Sequence, residues 1–140
     1  LGLAWMCGGF LGKGLIRRPF QSKNRVAYAV QAVLVAAMIV GASWVSNIRT
    51  MVGFAFLIHV TAGFIFNNYF TYCLARFPRA AGIAGGLAGG LAYTLTAMLS
   101  YGIAALLRPS SQMQIGVGYL IISMMGVGVL WMSRKMHPRV

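Results

Sequence analysis

The sequence predicts an all-α membrane protein: a bundle of four complete transmembrane helices plus one truncated helix. Three observations lead there. Of 140 residues, 59% are hydrophobic and only 9% charged, against roughly a quarter charged in an ordinary soluble domain. Every formal charge is positive, with 12 Lys and Arg and no Asp or Glu. The cations also fall in short clusters between apolar runs, and most of these runs reach the ~20 helical residues that a ~30 Å hydrocarbon core requires.

The elements follow in order. Residues 1–12 are apolar but too short to cross, and are predicted as the truncated helix. Residues 13–25 form a basic loop carrying Lys13, Arg17, Arg18, Lys23 and Arg25. Residues 26–45 make a span whose one interior amide is Gln31, and 51–74 a span containing His59, Asn67 and Asn68. Residues 82–107 run to Arg108-Pro109, a helix stop, and the polar turn Ser110-Ser111-Gln112 follows. Residues 115–132 complete the spans and 133–140 form a basic tail. The chain opens on Leu with no basic region ahead of its apolar run, so no cleavable signal is predicted. It reads as the C-terminal piece of a longer polytopic protein whose N-terminal helices are missing here.

Cation placement predicts orientation. Ten cations lie in 13–25, in the 75–81 connection (Arg76, Arg79) and in the tail (Arg134, Lys135, Arg139), whereas Arg49 and Arg108 alone occupy the alternate side. The positive-inside rule places the ten in the cytoplasm, and with them the C-terminus. Trp44 and Trp131 stand near span ends, where interfacial aromatics are expected.

Composition also narrows function. Without carboxylates there are no paired acids for hydrolysis, no Asp/Glu cation site and no buried acid for a proton relay. Cys7 and Cys73 lack CxxC spacing and read as two buried thiols, so neither a disulfide framework nor a metal site is expected. A net charge of +12 would suit nucleic acid if the cations lined one helix face; clustered between spans, they predict a lipid bilayer as partner and no nucleic acid. His59 is a lone catalytic candidate, no cofactor is implied, and an enzyme is not predicted.

Polar residues inside spans mark either function or interhelical bonding. His59, Gly63 and Asn67 share one face of 51–74, and Thr61, Asn68 and Tyr72 lie on a neighbouring one. Asn67, Asn68 and Tyr72, flanked by Phe66, Tyr69 and Phe70, suggest a cavity wall; packing through amide hydrogen bonds is the plainer alternative. In 82–107, Gly82, Gly86, Gly89, Tyr93, Thr96 and Ser100 step by three and four residues into one stripe, glycine in one half and hydroxyl-bearing in the other. Gly82, Gly86 and Gly89 read as a helix-packing or moving interface, and Tyr93 and Thr96 as cavity residues facing Asn67, Asn68 and Tyr72. Segments 26–45 and 115–132 lack such stripes and read as peripheral, lipid-facing supports.

These segments resemble the second half of a major facilitator superfamily transporter, in the drug/proton antiporter branch of the bicyclomycin- and chloramphenicol-resistance type. Gly12-Lys13-Gly14-Leu15-Ile16-Arg17-Arg18 is similar to the family's loop between its eighth and ninth helices. Arg76-Phe77-Pro78-Arg79-Ala80-Ala81-Gly82, continuing to Gly89, is similar to the entry of its eleventh helix. The chain differs at Phe66-Asn67, where the family's tenth helix commonly has Pro, and at Pro19-Phe20, where Gly is usual. The resemblance implies multi-pass residence in the inner membrane and alternating access by two six-helix halves. It also implies efflux of an amphipathic small molecule, with protons as the coupling ion through acidic residues of the first half. His59 would then tune coupling without supplying it, imidazole being the side chain that titrates near neutrality. The alternative class is a small stand-alone membrane protein with a structural or assembly role, associating through the glycine stripe.

Overall fold

A computed structural model describes residues 2–15, 19–45, 47–107 and 110–136, with side chains described as far as residue 128. Arg17, Arg18, Arg108 and Arg139, and the side chains of Trp131, Arg134 and Lys135, lie outside the described residues. The described chain is helical throughout, without a strand: α1 (Gly2–Gly14), α2 (Phe20–Ala42), α3 (Ile48–Ala75), a 3₁₀ turn (Pro78–Ala80), α4 (Ala81–Leu107) and α5 (Gln112–Met136). Among the described residues, three stretches are long and apolar enough to cross a membrane: Phe20–Ala42, Ile48–Ala75 and Pro78–Leu107. The described part of α5, Gln112–Gly128, is a shorter apolar helix.

Local chemistry sets the helix ends. Asn47 and Thr50 form a capping box at the start of α3: the Thr50 N–H donates to Asn47 Oδ1 at 2.9 Å and the Asn47 N–H to Thr50 Oγ1 at 3.4 Å. α3 ends at Arg76 because Phe77 precedes a proline, which disfavours helical backbone there. The chain restarts one 3₁₀ turn later. At the start of α5, Ser111 Oγ accepts from the Gln114 N–H at 3.3 Å. α2 begins at Phe20, directly after Pro19, and not at 26. Lys23 and Arg25, expected in a loop, therefore lie on its first turns, and the α1–α2 connection is shorter than the sequence suggests.

α3 is the centre of the packing. α1 crosses it at a glycine contact: a Cβ on Gly8 would meet Val60 O and stand 2.6 Å from Phe64 N, and one on Gly63 would stand 2.9 Å from the Trp5 Cα and carbonyl oxygen. α2 packs on α3 and α5 together, through Val35, Met38 and Ile58 with Ile115 and Tyr119 near one end, and through Ala27, Phe64 and Ile65 with Tyr28 and Tyr69 near the other. Polar bonds join the same helices. Gln31 Nε2 donates to Ser123 Oγ at 3.1 Å, and buried Gln112 accepts from the Thr50 hydroxyl at 3.1 Å while donating to Met38 O at 3.3 Å.

Three expectations are corrected here. Segments 26–45 and 115–132 are not peripheral supports: α2 carries four buried residues, and α5 packs on the same core through Ile115, Gly116 and Tyr119. In a nearly uniform apolar helix, hydropathy does not say which face packs; shape does, and Gly116 of α5 lets Ile39 approach closely. The stripe-bearing helix is the peripheral one: α4 has no buried residue. It touches α3 where Gly85 meets Phe70 and Leu74, and α5 where Gly118 meets Ile103 and Leu107. Cys7 and Cys73 are exposed and not buried. A thiol that water would drive inward has no such reason to avoid lipid.

Candidate membrane cavity

The ends of α1 and α3 and the start of α2 meet around a cavity of about 390 Å³, within the usual size range of small-molecule sites. Its wall takes Gly12 and Lys13 from α1, Phe20 and Lys23 from α2, and Asn67 and Tyr72 from α3, with Asn68 and Thr71 beside them. Phe20 is there because α2 starts immediately after Pro19, and its ring stacks on Tyr72 with centroids 4.5 Å apart and planes at 16°. It also meets Tyr69 edge-on at 5.1 Å. The Arg76 guanidinium lies 4.9 Å from the Tyr72 ring centroid and donates to its hydroxyl, so Tyr72 is held from two sides.

Both amides are oriented by their own helix. Asn67 Nδ2 donates to Gly63 O at 2.8 Å and Asn68 Nδ2 to Phe64 O at 2.9 Å. Each bond uses one of two amide N–H groups and leaves the carbonyl oxygen uninvolved in it. Gly9 makes room for Asn67, since a Cβ there would stand 3.2 Å from Nδ2. Neither bond ties α3 to another helix, so these are not the interhelical amide bonds of the plainer reading.

A second cavity of about 400 Å³ lies between the same three helices. It is apolar along Leu11 of α1, Val26 and Val30 of α2, and Val60 and Phe64 of α3. Lys23 lines both cavities.

Asn67, Asn68 and Tyr72 all line this cavity. Tyr93 and Thr96 do not join them: neither lines this cavity, and Tyr93 is 77% exposed. Gly82, Gly86 and Gly89 face open space, with nothing within 4 Å of a Cβ built on them. His59 stands elsewhere on α3. Its Nδ1 is 2.7 Å from Ala55 O, and because a carbonyl only accepts, this nitrogen carries the proton in the neutral ring and Nε2 is left as the acceptor. The ring meets Tyr119 of α5 edge-on at 5.7 Å, some 12 Å along the helix from Asn67 by the rise per residue.

Sequence reasoning missed Lys13, Lys23 and Phe20 as cavity residues and Gly8 as a crossing point. The Gly8/Gly12 pair is itself a GxxxG spacing and was a legible signal; Phe20 depends on where α2 starts. Among the described residues, no group of three His, Cys, Asp or Glu side chains is placed to hold a metal. No known protein family, curated protein or solved structure matches the chain. The fold and site together define the class: an all-helical protein with helices suited to crossing a membrane.

Proposed function

We propose that the chain is the C-terminal part of a secondary active transporter, working by alternating access to expel an amphipathic small molecule in exchange for protons. In this reading α2 to α5 are four complete spans, α1 is the remainder of a fifth, the C-terminus is cytoplasmic and the membrane is the inner one. The observation that carries it is α4. This helix is long and apolar enough to cross a membrane, yet its stripe of Gly82, Gly86 and Gly89 continuing into Tyr93 and Thr96 has no partner among the described residues. Small and hydroxyl-bearing faces suit close or wetted approach by another helix, and the missing N-terminal half would supply it. Asn67, Asn68 and Tyr72 would contribute to the substrate cavity from α3.

Gly86→Leu tests this in cells producing the protein from its own gene. Because a side chain there meets open space, folding and membrane insertion are expected near wild type while transport of an amphipathic dye falls. Asn67→Ala and Tyr93→Ala are expected to lower transport more than expression. Unchanged transport in all three overturns the reading. Single-cysteine labelling at positions 49 and 135 is expected to respond to reagent from opposite sides. The same open stripe favours one other reading, a small membrane protein that self-associates through α4. Gly86→Leu would then abolish a cross-linkable oligomer, and no transport would be measured at all.

A further inference from the structure

We infer that the paired cavities between α1, α2 and α3 form a binding site for an anionic phospholipid, with the phosphate held at Lys13 and Lys23 and one acyl chain in the apolar groove. The inference does not depend on the transport reading.

Charge comes first. The chain has no Asp or Glu, so no side chain of its own can neutralise Lys13, Lys23 or Arg76, which gather at one end of the three helices. At a lipid-covered surface that neutralisation must come from outside. Lys13 and Lys23 line the cavity from two different helices, the Lys13 ammonium standing 5.6 Å from the Phe10 ring centroid, and Arg76 is held against Tyr72 of the cavity wall. The start of α2 adds to this: it has no side-chain cap and no carboxylate in its first turn, so its positive end is not offset locally. Asn67, Asn68 and Thr71 supply the hydroxyl and amide groups that glycerol and ester oxygens need.

Geometry then favours a lipid over a soluble anion. The polar cavity lies at the helix ends, and the apolar groove runs from Lys23 past Val26 to Val30, ~10 Å along α2 by the helical rise. Lys23 lines both spaces, so they meet at a cation. A phospholipid places its phosphate and chain in that order along the bilayer normal. Soluble phosphate would leave the groove unused.

The test is lipid titration of the purified full chain in neutral detergent, read by native mass spectrometry. Dioleoyl phosphatidylglycerol is the anionic probe, phosphatidylcholine the zwitterionic one and inorganic phosphate the soluble one. Phosphatidylglycerol is expected to bind in preference to phosphatidylcholine, with phosphate unable to displace it. Lys13→Gln with Lys23→Gln is expected to weaken it at least tenfold. Arg49→Gln with Arg79→Gln removes the same charge elsewhere and is expected to change binding less than twofold. Val30→Trp, which fills the groove and leaves every cation in place, is expected to weaken binding too. Circular dichroism confirms that each variant keeps its helices. Equal weakening by both double substitutions would mean general attraction to a basic surface, and displacement by phosphate a site for a soluble anion; either overturns the inference. So does full retention in Val30→Trp.

Discussion

Substituting Gly8 with alanine tests whether α1 is held by backbone contact with α3. The new Cβ would stand 2.6 Å from Phe64 N and 3.0 Å from the Gly63 carbonyl carbon. Ordinary contact begins near 3.4 Å, so α1 must withdraw by at least about 0.8 Å to clear Phe64 N, and further to clear Val60 O, which stands closer still; these atoms are backbone and cannot rotate aside. Overpacking of this kind costs about 1–3 kcal/mol. Alanine offsets ~1 kcal/mol of it through better helix propensity, leaving a loss of about 0–2 kcal/mol. Gly86→Ala gains the propensity with nothing to meet, so the two variants are expected to differ by ~2 kcal/mol, roughly 30-fold in the folding equilibrium. Gly63→Ala requires only about 0.5 Å, against Trp5. The Gly8→Ala/Gly63→Ala double variant is therefore expected to lose little beyond Gly8→Ala alone, because one withdrawal accommodates both methyl groups. Reversible unfolding in mixed SDS and neutral detergent, followed by circular dichroism, measures all four. If Gly8→Ala is as stable as Gly86→Ala within ~0.5 kcal/mol, the crossing is looser than described and the argument fails.

Three further outcomes are expected. Asn47→Ala removes the acceptor of the Thr50 N–H and is expected to cost ~1 kcal/mol in the same unfolding assay; no loss would mean that the α3 start is held by packing. Asn24 is 4% exposed and both polar atoms of its amide lack a hydrogen-bond partner among the described residues, so Asn24→Leu is expected to match or exceed wild-type stability by up to ~1–3 kcal/mol. A clear loss would reveal a partner for that amide in the folded protein. His59→Gln keeps a donor beside Ala55 O, and any pH dependence of transport is expected to survive it; abolition would show that His59 itself carries the coupling.

The fold was legible where the sequence changes character abruptly. Pro78 and the Ser110-Ser111-Gln112 turn each interrupt an apolar run, and each stands at a helix boundary. The start of α2 was not legible, because Lys23 and Arg25 look like loop residues although long cationic side chains on a helix can reach the membrane surface. Packing faces were harder still. Lipid is as apolar as Leu or Val, so hydropathy does not separate the side of α2 that meets α3 from its opposite side. What separates them is shape, as at Gly8 against Val60 and Gly116 against Ile39.

The same reasoning explains why one candidate site was half legible. Asn67, Asn68 and Tyr72 lie within two turns of one helix, so spacing alone brings them together, and the structure keeps them on one cavity. Their pairing with Tyr93 and Thr96 required α4 to turn its polar stripe toward α3. Instead α4 meets α3 through Gly85, which lies off that stripe and takes Phe70 and Leu74 against its backbone. A helix with glycines on several faces has more than one smooth side to offer. Gly85 is used within the chain, whereas Gly82, Gly86 and Gly89 meet nothing within 4 Å among the described residues. That division assigns the two glycine sets different consequences: bulk at Gly85 should loosen α4 from α3, whereas bulk at Gly86 should act only on whatever α4 meets outside these five helices.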